Sequence, residues 1–223
     1  MARLRHECKF WINRHDIRIL RRRLDRLFPK DSNSGEDGEY VIRSLYFDNY
    51  SDIALREKID GAPKREKFRI RYYNDNPSFM RLEKKSKIDG LCLKEQCPIT
   101  ADECRRILDG DYHWMAADER ELIRELYAKM NYKQLRPKNV VVYDRCAYVY
   151  EPGNCRITLD MNIRGSMNIY GFLNPNERYM RFSDNNVFEV KWDDYLPDIV
   201  RSAVQLQSNG QTSFSKYAVL RFV

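Results

Sequence analysis

Along much of the chain apolar and polar residues change places at every position, the spacing of a strand with one face on a core and the other turned away from it. In 66–73, EKFRIRYY, Phe68, Ile70 and Tyr72 fall on one side and Lys67, Arg69, Arg71 and Tyr73 on the other. In 80–87, MRLEKKSK, Met80 and Leu82 oppose Arg81, Glu83, Lys85 and Lys87. Residues 91–96 set Leu91 and Leu93 against Cys92, Lys94 and Gln96, and 140–148 align Tyr143 with Arg145. In 156–160, Arg156, Thr158 and Asp160 oppose Ile157 and Leu159. Two more segments, ECKF at 7–10 and FEVKW at 188–192, place Glu7 with Lys9 and Glu189 with Lys191 on the polar side. Strands spread over the whole length predict one large antiparallel sheet or barrel.

A few stretches follow the helical period instead. In 13–28, Ile17, Leu20, Leu24, Leu27 and Phe28 share one face and the arginines take the rest, which predicts a helix packed on the outside. Thr100 with Glu103 forms a capping box, and Gly110 ends that short helix. Further helices are expected over 118–130 and within 195–206, where Pro197 suits a first turn. Residues 30–39 are polar and small and read as a loop.

Composition narrows the class. The 223 residues suffice for one domain spanning 1–223 with a real core, and 40 Lys and Arg against 33 Asp and Glu leave a formal charge of +7, a bias toward anionic partners. Six cysteines without a CxxC pair read as reduced, mostly buried thiols. The opening residues lack the apolar run of a signal peptide, and no stretch has the ~20 apolar residues of a membrane span, so a cytoplasmic protein is expected. GxGxxG, the Walker loop, HExxH and GxSxG are all missing, so neither a glycine-cradled nucleotide nor a serine hydrolase is expected.

Any one of the polar strand faces could simply meet solvent. As a set they are unusual, because arginine recurs at 69, 71, 145 and 156 in the middle of β-branched or aromatic strands. Its planar fork fits phosphate oxygens, and lysine adds a point charge. Cations converging at about 6 Å would repel by about 3 kcal/mol per pair at an effective dielectric of 20. Such a cavity needs an anion or interleaved carboxylates, and Glu7, Glu83, Asp160 and Glu189 are available.

These segments, together with SLYFDN at 44–49 and SKY at 215–217, resemble the VTC domain, the polyphosphate polymerase domain of the triphosphate tunnel metalloenzyme superfamily. The resemblance runs from ECKF to SKY with the motifs in the family's order. It implies an α+β fold: an antiparallel eight-stranded β tunnel with basic walls and helices packed outside. It further implies that Arg69, Arg71, Arg145, Arg156 and Lys85 act on the transferred phosphoryl group, and that Lys9, Lys94, Lys216, Tyr143 and Ser215 bind phosphates. Glu189 would hold Mn2+ or Mg2+ through those phosphates. The expected partners are ATP and polyphosphate or another phosphate-rich anion, with no nucleic acid. The expected activity is transfer of the γ-phosphoryl group of ATP to a growing polyphosphate chain. Tripolyphosphate hydrolysis in the same tunnel, or binding of polyphosphate or an inositol phosphate without turnover, are the alternatives. Two positions depart from the wider superfamily: Arg5 stands at the first glutamate of ExExK, and Ser213 where a basic residue precedes the FSK segment.

Overall fold

The computed structural model describes residues 5–181, 186–206, 212 and 215–219. Its strands are β1 (His6–Ile12), β2 (Glu39–Asp48), β3 (Lys64–Tyr73), β4 (Asn76–Ile88), β5 (Leu91–Ile99), β6 (Arg136–Tyr150), β7 (Cys155–Ser166), β8 (Met180–Arg181) and β9 (Asn186–Trp192). Eight of them pair antiparallel in the order β1, β9, β7, β6, β2, β3, β4, β5, and the two-residue β8 pairs with β7. The ends of that order meet, because Arg5 bridges to Cys92 and the Lys85 ammonium on β4 reaches Glu7 on β1 at 2.7 Å. The sheet therefore closes on itself as the predicted tunnel, which removes both sheet edges.

Closure explains the alternation. Outward residues of β2 to β5, among them Phe47, Phe68, Ile70, Tyr72 and Leu82, form one core layer with α3 (Ala101–Leu108) and α4 (Glu121–Tyr132). Outward residues of β6, β7 and β9, including Tyr148, Ile157, Leu159 and Phe188, form a second layer with α1 (Arg14–Leu27) and α5 (Asp198–Ala203). The inward faces carry the charge, and among the described residues an apolar cluster enters the interior near Tyr40, Ile42, Tyr46, Val141 and Tyr143. Among the described helices none is long and apolar enough to cross a membrane.

The helix signals hold where they are local. Asn13 caps α1 by accepting from Asp16 N–H at 2.9 Å, with Asp16 answering at Asn13 N–H, and Thr100 and Glu103 form the expected capping box on α3. α4 begins three residues later than the pattern predicts: Asp118 accepts from the Arg120 N–H at 2.9 Å and from its guanidinium at 2.8 Å, which holds residue 118 in extended backbone. Pro197 precedes α5 as its cap instead of sitting inside the first turn. No cysteine is disulfide-bonded among the described residues, but only Cys104, Cys146 and Cys155 are buried, while Cys8, Cys92 and Cys97 are half-buried.

Among the elements that were not anticipated are β2 and the helix that follows it. β2 is buried on both faces toward its end, so its sequence, EYVIRSLYFD, shows no clean alternation. The short helix α2 (Ile53–Ile59) starts after Asp52, whose φ of 53° lies in the left-handed region. Its first N–H groups are satisfied from the preceding strand: the buried Asp48 carboxylate accepts from Ala54 at 3.0 Å and Leu55 at 3.2 Å.

Candidate functional site

The inward side chains enclose two connected cavities of about 290 and 450 Å³ that share Glu7, Lys9, Lys67, Lys85, Cys92 and Ser215. Strand parity builds the walls. On β3 and β4, Lys67 lies opposite Lys85 and Arg69 opposite Glu83, and on β6 and β7 Arg145 lies opposite Asp160. On β1 and β9, Glu7 faces Lys191 and Lys9 faces Glu189.

Three carboxylate centres hold this charge together. Glu83, fully buried, accepts from Arg69 Nε at 2.7 Å and pairs with Lys94 at 2.6 Å, and Arg71 stands 3.9 Å away. Asp160 takes a two-pronged contact from Arg145, at 2.6 and 2.8 Å, and a third from Lys216 at 2.5 Å. Glu7 and Glu189 interleave with Lys9, Lys85 and Lys191: Glu7 meets Lys9 at 2.5 Å and Lys85 at 2.7 Å, and Glu189 meets Lys191 at 2.5 Å. Burial pushes all of these carboxyls up, but the adjoining cations outweigh it and hold Glu7, Glu83 and Glu189 well below the usual range and Asp160 down to about 2. They are ionised at neutral pH.

The smaller cavity is nevertheless far from neutral. Eleven Lys and Arg line it among the described residues, with Glu7 and Glu189 as the only carboxylates in the lining. Several buried donors there find no acceptor: among the described residues, Arg71 Nε, Arg156 Nε and the Ser215 hydroxyl have no hydrogen-bond partner. An unsatisfied buried polar group costs about 1–3 kcal/mol, so these atoms point to acceptors brought by an anion. Among the described residues Lys67 has neither an ion pair nor a hydrogen bond, and burial together with the charges of Lys85, Lys9 and Arg69 pulls its ammonium well below the ordinary lysine range. Its nitrogen stands 5.8 Å from the centre of the Tyr46 ring.

The model of one protein family, described as the VTC domain, matches residues 4–221. This chain belongs to the VTC domain family. Solved structures similar to this VTC domain include a "putative adenylate cyclase" of Bacillus halodurans, at 14% identity and a TM-score of 0.53, covering 91% of this chain and 86% of that one. The PH1819 protein of Pyrococcus horikoshii OT3 is similar at 14% identity and a TM-score of 0.52, with 98% of each chain covered. At that identity the likeness is one of fold. No curated protein matches this VTC domain in sequence.

The side chains singled out from sequence come together. Lys9, Arg69, Arg71, Lys85, Lys94, Tyr143, Arg145, Arg156, Glu189, Ser215 and Lys216 all line the smaller cavity. Arg156 also reaches outside the set, to Asp31 and to the Tyr40 hydroxyl at 2.9 Å. Arg5 pairs with Asp193 at 2.9 Å and donates to the Asn154 carbonyl, so the departure from ExExK puts a cation where the superfamily pattern has a carboxylate. Ser213 lies outside the described residues. Sequence reasoning placed Lys67 and Lys191 on the polar faces without giving them a role, and it missed Tyr46, whose hydroxyl accepts from Arg69 at 3.0 Å. The tripeptide 215–217 is seated by Tyr217, whose hydroxyl donates to Asp48 at 2.5 Å.

The family resemblance also implies a divalent ion beside the phosphates. Among the described residues no three His, Cys, Asp or Glu side chains converge on a point. Glu7 and Glu189, which repel one another across the β1 and β9 pair, form a two-carboxylate edge. Mg2+ and Mn2+ are commonly held by one or two carboxylates with the remaining ligands from phosphate and water, so this donor set fits a metal that arrives with its phosphates.

Proposed function

We propose that this tunnel is a polyphosphate polymerase that moves the γ-phosphoryl group of ATP onto the end of a phosphate chain. The observation that carries the reading is the excess of inward cations, with orphaned buried donors, in a closed tunnel of the VTC family. In the transfer, a terminal oxygen of the chain forms a bond to the γ-phosphorus while the bond to the β–γ bridging oxygen breaks, and ADP leaves with that electron pair. The nucleophile belongs to the substrate, so positioning and charge neutralisation are what the protein must supply. Arg69, Arg71, Arg145, Arg156 and Lys85 would neutralise and orient the transferred group. Lys9, Lys94, Lys216 and the hydroxyls of Tyr143 and Ser215 would hold the flanking phosphates. Glu189, with Glu7 beside it, would hold Mn2+ or Mg2+, which supplies further positive charge to the phosphate oxygens.

Incubation with ATP and Mn2+, followed by gel analysis, should yield long phosphate chains. Orthophosphate alone would replace this reading with hydrolysis in the same tunnel, and tight binding without turnover would leave a binding module. Lys67 gives a second test. An anion beside it raises that depressed pKa, so tripolyphosphate binding should be accompanied by proton uptake at pH values between the free and the bound Lys67 pKa, and affinity should fall as pH rises through that range. Calorimetry in two buffers of different ionisation enthalpy measures that proton, and its absence would place the ligand away from Lys67.

A further inference from the structure

The loop between α1 and β2 contains a carboxylate that is withdrawn from solvent. Asp31 is only 4% exposed, although it lies in a segment of polar and small residues. The end of β6 seats it. Val149 N–H donates to the Pro29 carbonyl at 3.1 Å, Lys30 bridges to Tyr148, and Asp31 N–H donates to the Ala147 carbonyl at 2.9 Å. One carboxylate oxygen, Oδ1, closes a turn by accepting from the Asn33 N–H at 2.8 Å and from its Nδ2 at 2.6 Å. The other, Oδ2, meets Nη2 of Arg156, and the same Nη2 donates to the hydroxyl of buried Tyr40 at 2.9 Å.

Arg156 depends on such a hold more than two other arginines of the tunnel wall. Arg69 and Arg145 are fixed by Glu83 and Asp160, carboxylates on inward faces of the same sheet, and their side chains are 15% and 9% exposed. The Arg156 side chain is 34% exposed, its register partner on β9 is another cation, Lys191, and its carboxylate comes from outside the sheet. A long side chain with that much room keeps its rotamer freedom unless something removes it, and a phosphate that had to order it would lose that free energy on binding. Asp31 and Tyr40 both act at Nη2, and Nε stays buried without a partner among the described residues.

We propose that Asp31 is a positioning residue for phosphoryl transfer: from the loop it fixes one end of the Arg156 guanidinium, so that the remaining donors meet the reacting phosphate in a set orientation. The proposal rests on the reading of Arg156 as a ligand of the transferred group. Asp31 also opposes binding, because its charge competes with phosphate for the same arginine. Its removal should therefore separate orientation from affinity, slowing transfer without weakening the bound state.

Heteronuclear spectra of the arginine Nε–H groups test the orientation directly. The wild-type signal that disappears in Arg156→Ala belongs to Arg156, and it should broaden or vanish in Asp31→Ala. With ATP and Mn2+, Asp31→Ala should lower kcat about tenfold. Tripolyphosphate should bind this variant at least as tightly as wild type, and Asp31→Asn, which keeps an acceptor oxygen, should recover part of the rate. In an Arg156→Ala background the same substitution should change kcat by less than about twofold, whereas a loop that merely supports the fold would add its loss in either background. Tyr40→Phe removes the second Nη2 contact without touching the loop; it should show the same dependence on Arg156 with a smaller loss, and it carries the test should Asp31→Ala fail to fold. An Arg156 signal unchanged in Asp31→Ala, or equal losses in the two backgrounds, would overturn the proposal. If wild type makes no polymer, the polymerase reading falls and the Nε–H spectra still decide the role of Asp31. Polymer synthesis by wild type with an unchanged Arg156 signal in the variant gives the reverse.

Discussion

Replacing Asp160 with Ala is expected to lower the free energy of unfolding by about 3–5 kcal/mol, because it strands two cations that the fold has buried. Asp160 is inaccessible to solvent and is the shared partner of Arg145 and Lys216. Removing one carboxylate leaves both without a counterion in a wall that already contains excess positive charge. The pH dependence has a definite sign. Burial raises the Asp160 pKa, but Arg145 and then Lys216 outweigh it and bring it from 3.8 to about 2. A carboxyl depressed in the folded state contributes stability that is complete above its unfolded value and is lost as pH falls through the folded one. The gap between wild type and variant in urea unfolding should therefore be constant above pH 3.8 and shrink between there and about 2. Added tripolyphosphate should stabilise the variant more than wild type, since the ligand replaces the missing negative charge. A variant as stable as wild type would mean that Arg145 and Lys216 find other partners or water.

The contrast between Lys67 and Asp160 shows what the sequence could reveal. Alternation is a local property, so the inward set on β3, β4, β7 and β9 was legible two residues at a time, and the family resemblance assigned it to a tunnel. Pairing is not local. Asp160 meets Arg145 across 15 positions and Lys216 across 56, and Glu7 meets Lys85 across 78, distances at which residue patterns say nothing about contact. Lys67 therefore looked like its neighbours, although of the cations lining the smaller cavity it alone has no carboxylate at ion-pair distance among the described residues. α2 was hidden for a related reason: its anchor, Asp48, lies outside the helix at the end of β2, and the left-handed Asp52 intervenes where a cap would normally be sought. Asp118 was misread because a side chain that suits an N-cap instead folds back on Arg120.

Arg71→Ala should reduce chain synthesis by about 10²- to 10³-fold while leaving the fold intact. Arg71 is buried in the tunnel wall, with its Nη1 and Nη2 near the hydroxyls of Tyr73 and Tyr143 at 3.4 and 3.3 Å and its Nε without an acceptor. Such weak neutral contacts leave the guanidinium free to meet phosphate oxygens. Its link to Glu83, at 3.9 Å, is the longest of that centre, and Glu83 keeps Arg69 and Lys94 at 2.7 and 2.6 Å when Arg71 is gone. No carboxylate is orphaned, which separates this substitution from that of Asp160. If Arg71 neutralises charge that develops during transfer, the loss should appear mainly in kcat, and Arg71→Lys should recover only part of it, because an ammonium restores the charge without the planar fork. Rates measured with thermal unfolding of the same preparations decide the matter. An Arg71→Ala protein that unfolds at a much lower temperature would make the residue structural, and one that is folded and fully active would remove it from the reacting group.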